Sequence, residues 1–530
     1  MPKLKNENIK PFIYPLIIAL LQCLQLQISS LKTTIYFTAC EILSVFILYC
    51  MILLVSIAKK KSLQGLECVL MTLFCIANYF TYEYHGGPLF LSTMQSAKTA
   101  LNVAGGYSYK IDAYIIVILI LLIPQIPLAR GYIFTGTAKI PVILTIAATI
   151  ITTIVLQTNP YAWSQQADIA HEGFPVAFIR DLTASSKPIK PKHYKEYDTN
   201  RTFVGTERPD IIVILNESYS ILDGKDKLTD TDGAITGKMT VPQTGGGTNN
   251  SEYELLTSNS MRLYSQDAPF NYLEGNQLRD NTVNYLKSLG YETTAMHCED
   301  PKNYNRDTAY KDMGFDNVYL GDKPWTKNYY GNRPWLDRDN YADMLKWCDF
   351  EDKPQFVYLL TYQNHGGYDQ NDESCDTVHK TKYGKENDEV NEFMTSVEMS
   401  EDALIELINH FKDSDRHTII IMAGDHNPPF ITKIEPDEIK QKQTNYVIWA
   451  NYDVSLEGGD MTMTDIIPVV LKNAGIGTTD FLGTVYEAHK EYPVRTTNDI
   501  LISKDEKMSR YNGSQEIVNE YYSKEYNRIK

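Results

Sequence analysis

The chain has 530 residues and a formal net charge of -16. That length exceeds one ordinary domain, and the acidic balance excludes bulk neutralisation of nucleic-acid phosphates. The charge is uneven: residues 1–157 hold 11 Lys and Arg against 5 Asp and Glu, and the remainder holds 39 against 61. A basic apolar front is joined to an acidic polar back.

Five apolar stretches predict membrane spans, at Pro11–Ile28, Thr34–Ala58, Leu66–Tyr82, Ala113–Ala129 and Ile140–Leu156. A span needs about 20 apolar residues. The second and fourth are the most apolar, whereas Gln22, Gln25 and Gln27 interrupt the first. A signal peptide is the rival for that first stretch, but no small-residue cleavage site follows it. With the N-terminus inside, the inner loops hold Lys3, Lys5, Lys10, Lys59, Lys60, Lys61, Arg130 and Lys139, against only Lys32, Lys98 and Lys110 outside. The positive-inside rule then places everything after Leu156 on the extracellular side. Residues 85–110 carry two Gly-Gly pairs and an amphipathic middle, which predict a short helix on the outer membrane surface or an ordinary loop.

Residues 158–207 form a polar linker with a short helix expected along the outward domain. From residue 208 to about 500 the pattern is α/β. Apolar runs at Ile211–Leu215, Glu292–Met296, Phe356–Thr361, His417–Met422 and Tyr446–Ala450 read as strands. Helices are expected at Ser251–Ser258, Asn281–Leu289, Asn391–Phe411 and Thr464–Ala474. The alternation predicts a mainly parallel sheet with helices on both faces, and chemistry at the carboxyl ends of its strands. Residues 501–530 form a charged, tyrosine-rich tail with helical character and no assigned chemistry. Of the eight cysteines, Cys298, Cys348 and Cys375 lie in the polar part, where at most one disulfide among them is possible.

Glu217 ends the run DIIVILNES, and Asp425-His426 ends HTIIIMAGDH. Thr248 follows three glycines in TGGGTNNSEYELL, where the backbone turns sharply and a helix begins, with Asn249, Asn250 and Ser251 expected to cap it. Two carboxylates, an imidazole and a hydroxyl suit one divalent metal. A threonine hydroxyl on such a metal is an activated nucleophile. A salt bridge would explain Glu217 alone and a surface loop would explain Thr248 alone, but neither explains the set. His365, in QNHGGY, and Arg306, in NRDTAYKDMGFD, are candidates for a substrate phosphate, and His297 is a weaker one. His171, His193 and His379 lie in polar segments and are expected to be solvated.

Over nearly its whole length the chain resembles the lipoteichoic acid synthase family, the membrane-bound phosphoglycerol transferases of the sulfatase-like alkaline-phosphatase superfamily. The matching motifs are NESYS, GGGTNNSEYELL, NRDTAYKDMGFD, QNHGGY and GDH. The resemblance implies Glu217, Thr248, Asp425 and His426 as ligands of manganese, with magnesium or zinc as alternatives. It implies Thr248 as nucleophile and His365 and Arg306 as glycerol phosphate contacts. Tyr304 stands where well-known members carry a pocket tryptophan, and NPPF follows GDH in place of an aromatic-glycine run. Both departures fall on the substrate pocket. The C-x-P-x-R segment of formylglycine sulfatases is absent. The implied reaction moves glycerol phosphate from phosphatidylglycerol, through phosphothreonine, to a polymer or glycan hydroxyl. Phosphoethanolamine transfer by the same chemistry, and a non-catalytic membrane protein binding polymer or lipid, are the alternatives.

Overall fold

The structure is a computed structural model. It describes residues 10–30, 39–85, 87–90, 111–132, 139–158, 173–183, 187–222, 226–264, 267–368 and 388–530. The chain divides into two compact units, Met1–Met94 with Tyr109–Ala184, and Gln95–Ser108 with Ser185–Lys530.

The first unit is helical: α1 (Lys10–Ser29), α2 (Ala39–Ile57), α3 (Lys61–His85), α4 (Ala113–Arg130), α5 (Lys139–Thr158) and α6 (Phe174–Thr183). The first five coincide with the five apolar stretches. Lys10–Ser29, Lys61–Glu83 and Ala113–Arg130 are long and apolar enough to cross a membrane, and Glu41–Ile57 and Lys139–Ile154 are shorter apolar stretches. Isoleucines of α4 and α5 such as Ile120, Ile123, Ile143 and Ile150 remain exposed, as expected of helices that face lipid. The glutamines of α1 turn inward. Gln22 donates to Glu67 at 2.9 Å, Gln25 to Thr72 at 3.0 Å, and Gln125 to Gln25 at 3.0 Å. They act as polar ties between packed helices.

The short helix α6 corrects one expectation. It belongs to this first unit and not to the outward domain, because its Phe174 and Ala177 bury among the apolar side chains of the bundle. The expected surface helix within residues 85–110 lies largely outside the described residues, as do Lys3, Lys5, Lys32, Lys98 and Lys110.

The second unit is built on an eight-stranded sheet. In chain order the unit's strands are β1 (Phe203–Val204), β2 (Asp210–Asn216), β3 (Ile235–Thr240), β4 (Glu292–His297), β5 (Asn317–Tyr319), β6 (Gln355–Leu360), β7 (Thr418–Gly424), β8 (Gln443–Ala450), β9 (Met461–Thr462), β10 (Gly477–Thr478), β11 (Val494–Arg495), β12 (Ile500–Ile502) and β13 (Met508–Arg510), the last three forming a small sheet of their own. The main sheet runs β5-β4-β6-β2-β7-β8-β3-β9, while β1 and β10 pair separately. Within the main sheet the pairings are parallel except at β7·β8 and β8·β3, and β1·β10 is antiparallel.

The helices longer than a single turn are α7 (Thr248–Thr257), α8 (Thr282–Ser288), α9 (Arg306–Met313), α10 (Asp337–Trp347), α11 (Asp388–Lys412), α12 (Ile466–Asn473), α13 (Asp480–Glu491) and α14 (Glu516–Ile529). Ile212, Ile214, Val357, Leu359, Ile420 and Met422 alternate along three central strands. They form one core with Phe393, Val397, Leu404 and Leu407 of α11. Each such side chain contributes about 1.5–3 kcal/mol of transfer free energy, which anchors the strand ends that carry the site. Cys298 and Cys348 are free thiols, and Cys375 lies outside the described residues.

Candidate metal centre and substrate pocket

Register brings the acidic ligands together. β2 pairs with β7 in parallel so that Asn216 faces Gly424. The residues that follow, Glu217 and Asp425, therefore leave adjacent strands at the same edge. Ser218 takes a left-handed backbone (φ 50) directly after Glu217. Its N–H donates to Asp425 Oδ1 at 2.7 Å, and its hydroxyl donates to Glu217 Oε1 at 2.9 Å.

Thr248 arrives by a different route. Gly245, Gly246 and Gly247 all have left-handed φ, at 62, 63 and 76. That run of positive φ is accessible to glycine without steric cost, and it turns the chain so that α7 begins at Thr248 itself. The expected caps are thereby corrected. Gly247 is the N-cap and no side chain caps the helix. Asn249 and Asn250 instead accept from the N–H groups of Phe270 (3.0 Å) and Ala268 (2.8 Å), and Ser251 donates to the Asp425 carbonyl. The first-turn N–H groups of α7 are left without side-chain acceptors, the arrangement that attracts an anion.

The four residues converge. Thr248 Oγ1 lies 3.4 Å from His426 Nε2, which lies 3.2 Å from Asp425 Oδ2 and 3.6 Å from Glu217 Oε1. Donor atoms of Glu217, Asp425 and His426 all fall within 4.8 Å of one another, and all three side chains are buried. His426 Nδ1 sits 3.0 Å from the Asn427 carbonyl. The Gly246 N–H also donates to Nδ1, at 3.2 Å, so this nitrogen is held by the surrounding loops while Nε2 faces the cluster. Burial pushes the Asp425 carboxyl up, and the Glu217 carboxylate adds to it against His426. Burial pushes His426 down, but Asp425 and Glu217 outweigh it and hold the imidazole above its ordinary value.

These residues fit a divalent cation. Among the described residues Asp425 Oδ2 is buried without a hydrogen-bond donor, its one close polar neighbour being His426 Nε2 at 3.2 Å, and a buried carboxylate oxygen so sparsely matched is costly. Two carboxylates, one imidazole and one hydroxyl form a mixed oxygen and nitrogen set that suits manganese, magnesium or zinc.

The remaining candidates lie on neighbouring elements. Arg306 is not a free cation: its Nε donates to Glu252 Oε1 and Oε2 at 3.2 and 3.0 Å, and its Nη2 lies 2.9 Å from Oε2. Its guanidinium carbon lies 5.0 Å from the Tyr304 ring centroid. The Tyr304 hydroxyl sits within electrostatic reach of Glu217, Glu252 and Glu299. His365 follows β6 and stacks on Tyr362 at 4.9 Å. His297 ends β4, with Nδ1 3.1 Å from the Leu360 carbonyl and Nε2 3.8 Å from Glu299. Burial pushes the Glu299 carboxyl up, but His297, joined by His365 and Arg306, holds it below its usual range. Glu299 and Glu252 were not among the sequence candidates. Their signals were an acid two residues after His297 and an acid one helical turn after Thr248. His193 packs edge-on to Tyr511, and His171 and His379 lie outside the described residues.

Fold and site together define an α/β domain that gathers a metal-ligand set and a threonine hydroxyl at the carboxyl ends of parallel strands. Residues 226–476 match the sulfatase family model. The chain is 26% identical over 374 residues to a Rhizobium meliloti protein provisionally assigned to cyclic beta-1,2-glucan modification, covering 63% of this chain and 58% of that one. It is 26% identical over 295 residues to lipoteichoic acid synthase of Staphylococcus aureus, covering 50% and 43%. The chain thus spans less than two thirds of the length of these curated relatives. Among solved structures, Streptococcus pyogenes phosphoglycerol transferase GacH, in complex with sn-glycerol-1-phosphate, aligns with a TM-score of 0.52 and 18% identity over 64% of this chain and 95% of that one. The integral membrane protein lipooligosaccharide phosphoethanolamine transferase A of Neisseria meningitidis aligns with a TM-score of 0.52 and 13% identity over 87% and 94%. At such identities these likenesses establish the fold.

Proposed function

We propose that this protein is a membrane-anchored, metal-dependent phosphoglycerol transferase. Its donor is phosphatidylglycerol, and its acceptor is a hydroxyl of a cell-envelope polymer, lipoteichoic acid or a wall polysaccharide. The observation that carries this reading is the Thr248 hydroxyl at the open N-terminus of α7, 3.4 Å from His426 Nε2 and beside two buried carboxylates. The names of the staphylococcal relatives support the polymer. The name of the Rhizobium relative supports a glycan acceptor.

Glu217, Asp425, His426 and Thr248 would hold the cation. When bound it supplies positive charge that favours the threonine alkoxide and screens an anionic diester. Thr248 Oγ1 bonds to the donor phosphorus, and the phosphorus–oxygen bond to diacylglycerol breaks. The α7 N–H groups and Arg306 hold the phosphoryl oxygens. His365 delivers the proton to the departing diacylglycerol oxygen. An acceptor hydroxyl then displaces Thr248 from phosphorus, which gives ping-pong kinetics. The apolar helices, with the N-terminus inside and the domain outside, tether the site to the bilayer that holds the donor and raise its effective concentration.

A second reading, phosphoethanolamine transfer, is favoured by one observation: the Neisseria phosphoethanolamine transferase aligns over most of this chain. Purified full-length protein given fluorescent phosphatidylglycerol or phosphatidylethanolamine, with and without Mn²⁺, tests both. Metal-dependent diacylglycerol release from phosphatidylglycerol, with glycerol phosphate found on Thr248 by mass spectrometry, is expected. Release from phosphatidylethanolamine alone moves the assignment to the second reading. Release from neither favours a non-catalytic binding protein.

A further inference from the structure

The pair Glu252–Arg306 is not needed to explain the fold. Its side chains are 0% and 3% exposed, and a buried ion pair of this kind is often no more stable than an apolar replacement. Its construction is nevertheless elaborate. The hydroxyls of Tyr310 and Tyr358 both donate to Glu252 Oε1. Arg306 commits Nε and Nη2 to the same carboxylate, and among the described residues its Nη1 makes no hydrogen bond. Below the guanidinium lies Tyr304, and both Tyr304 (φ 53) and Asn305 (φ 57) take the left-handed backbone just before α9. Such backbone is unfavourable for residues other than glycine and is retained where the surrounding structure requires it.

Glu252 stands four residues after Thr248 on α7. Residues so spaced share one helix face. The carboxylate that grips Arg306 and the hydroxyl at the metal cluster therefore ride on one short rigid element.

We propose that Glu252 is a positioning residue for the transfer. It fixes the fork of Arg306 so that Nη1 stays free for a phosphoryl oxygen of the donor, at a spacing from Thr248 set by one turn of α7. Tyr310 and Tyr358 hold the carboxylate in turn. This rests on the transferase reading for what Arg306 touches, and on the geometry for what holds Arg306.

The test is a double-mutant cycle on the full-length protein with Glu252→Asp and Arg306→Lys. Both substitutions keep the buried charges paired, so the fold is retained, and thermal melts check that. Shortening Glu252 by one methylene displaces the guanidinium by about an ångström, a shift that costs up to ~10²-fold in turnover. Glu252→Asp is expected to lower kcat/KM by roughly 10- to 100-fold in the wild-type background, mainly through kcat. In the Arg306→Lys background, which has no Nη1 to misplace, it is expected to cost less than about twofold. An equal loss in both backgrounds would mean that Glu252 supports α7 directly, and would overturn the proposal. So would full activity of Glu252→Asp. The cycle is read on whichever of phosphatidylglycerol and phosphatidylethanolamine the wild type cleaves. If it cleaves neither, the transferase reading fails. Calorimetric titration of the four proteins with inorganic phosphate then decides the positioning role by the same comparison.

Discussion

The Ser218 N–H donates to Asp425 Oδ1 at 2.7 Å, and the His426 N–H donates to the same oxygen at 2.8 Å. Asp425 is thereby pinned by one oxygen, and Oδ2 is left as a buried acceptor facing Nε2 of His426. The left-handed turn at Ser218 is what places that first donor. An aspartate held in this way is preorganised for the proposed ligand role, and each consequence of that role is measurable.

Divalent cation is expected to stabilise the folded protein, because only the folded chain brings the ligands together. A ligand at 100 times its Kd adds about 2.7 kcal/mol. EDTA should lower the melting temperature and Mn²⁺ should restore it. Asp425→Asn should abolish the Mn²⁺-dependent shift, since the amide supplies neither the charge nor the free anionic oxygen. A metal-dependent shift undiminished in the variant would remove Asp425 from the ligand set.

Thr248→Ala removes the hydroxyl while leaving Glu217, Asp425 and His426 in place. Diacylglycerol release should fall by at least about 10³-fold, the scale seen when a covalent nucleophile is deleted. Alanine also lacks the γ-methyl, so the melting temperature should fall modestly, by far less than a loss of folding would need to explain the lost activity. Labelled donor should no longer mark the protein. Persistent labelling of the variant would place the nucleophile elsewhere.

Gly247 is the tightest point of the turn that delivers Thr248. Its φ is 76, and a Cβ there would fall 1.2 Å from Gln243 Nε2. Gly247→Ala has to shift the Gln243 side chain and pay the left-handed penalty of roughly 1–2 kcal/mol. Activity should drop more than the loss of stability explains, because α7 starts at the next residue. Crystals of the variant should show Thr248 Oγ1 displaced from His426. Unchanged turnover would mean that the glycine run serves only the loop.

Much of this was legible in the sequence, for identifiable reasons. The five runs read as strands coincide with β2, β4, β6, β7 and β8, and all but β4 are nearly continuous apolar stretches, as central strands buried on both faces are. Strand β3, with the sequence ITGKMT, is mostly half-buried and carries no such run, so it was missed. The residues at the strand ends could be named, but not their neighbours. The Asn216–Gly424 register joins positions more than 200 residues apart, and no local periodicity encodes it. The same holds for Glu252, whose partner Arg306 is 54 residues away. An arginine in a polar segment reads as a free cation until its carboxylate is seen. The capping assignment failed because three left-handed glycines can start a helix without a polar cap.

The C-terminal helix offers a last test, through acid groups remote from the metal cluster. Glu254 of α7 accepts from the Met261 N–H at 2.8 Å, and Glu525 of α14 accepts from the adjacent Ser260 N–H at 2.7 Å. Burial pushes Glu254 up to about 8. Burial, reinforced by Glu254 and opposed by Ser260, raises Glu525 well above the ordinary glutamate range. A carboxyl whose folded value exceeds its unfolded one takes up a proton on folding. Its contribution is therefore full below the unfolded value near 4.5 and fades as the pH rises through the folded value near 8. The protein should lose stability progressively from about pH 5 to pH 9 for this reason. Glu525→Gln keeps an acceptor for the Ser260 N–H without a charge to bury. Its melting temperature should fall less steeply over that range than that of wild type, and the difference should be greatest at the alkaline end. Parallel melting curves against pH would show that Glu525 takes up no extra proton on folding in that range.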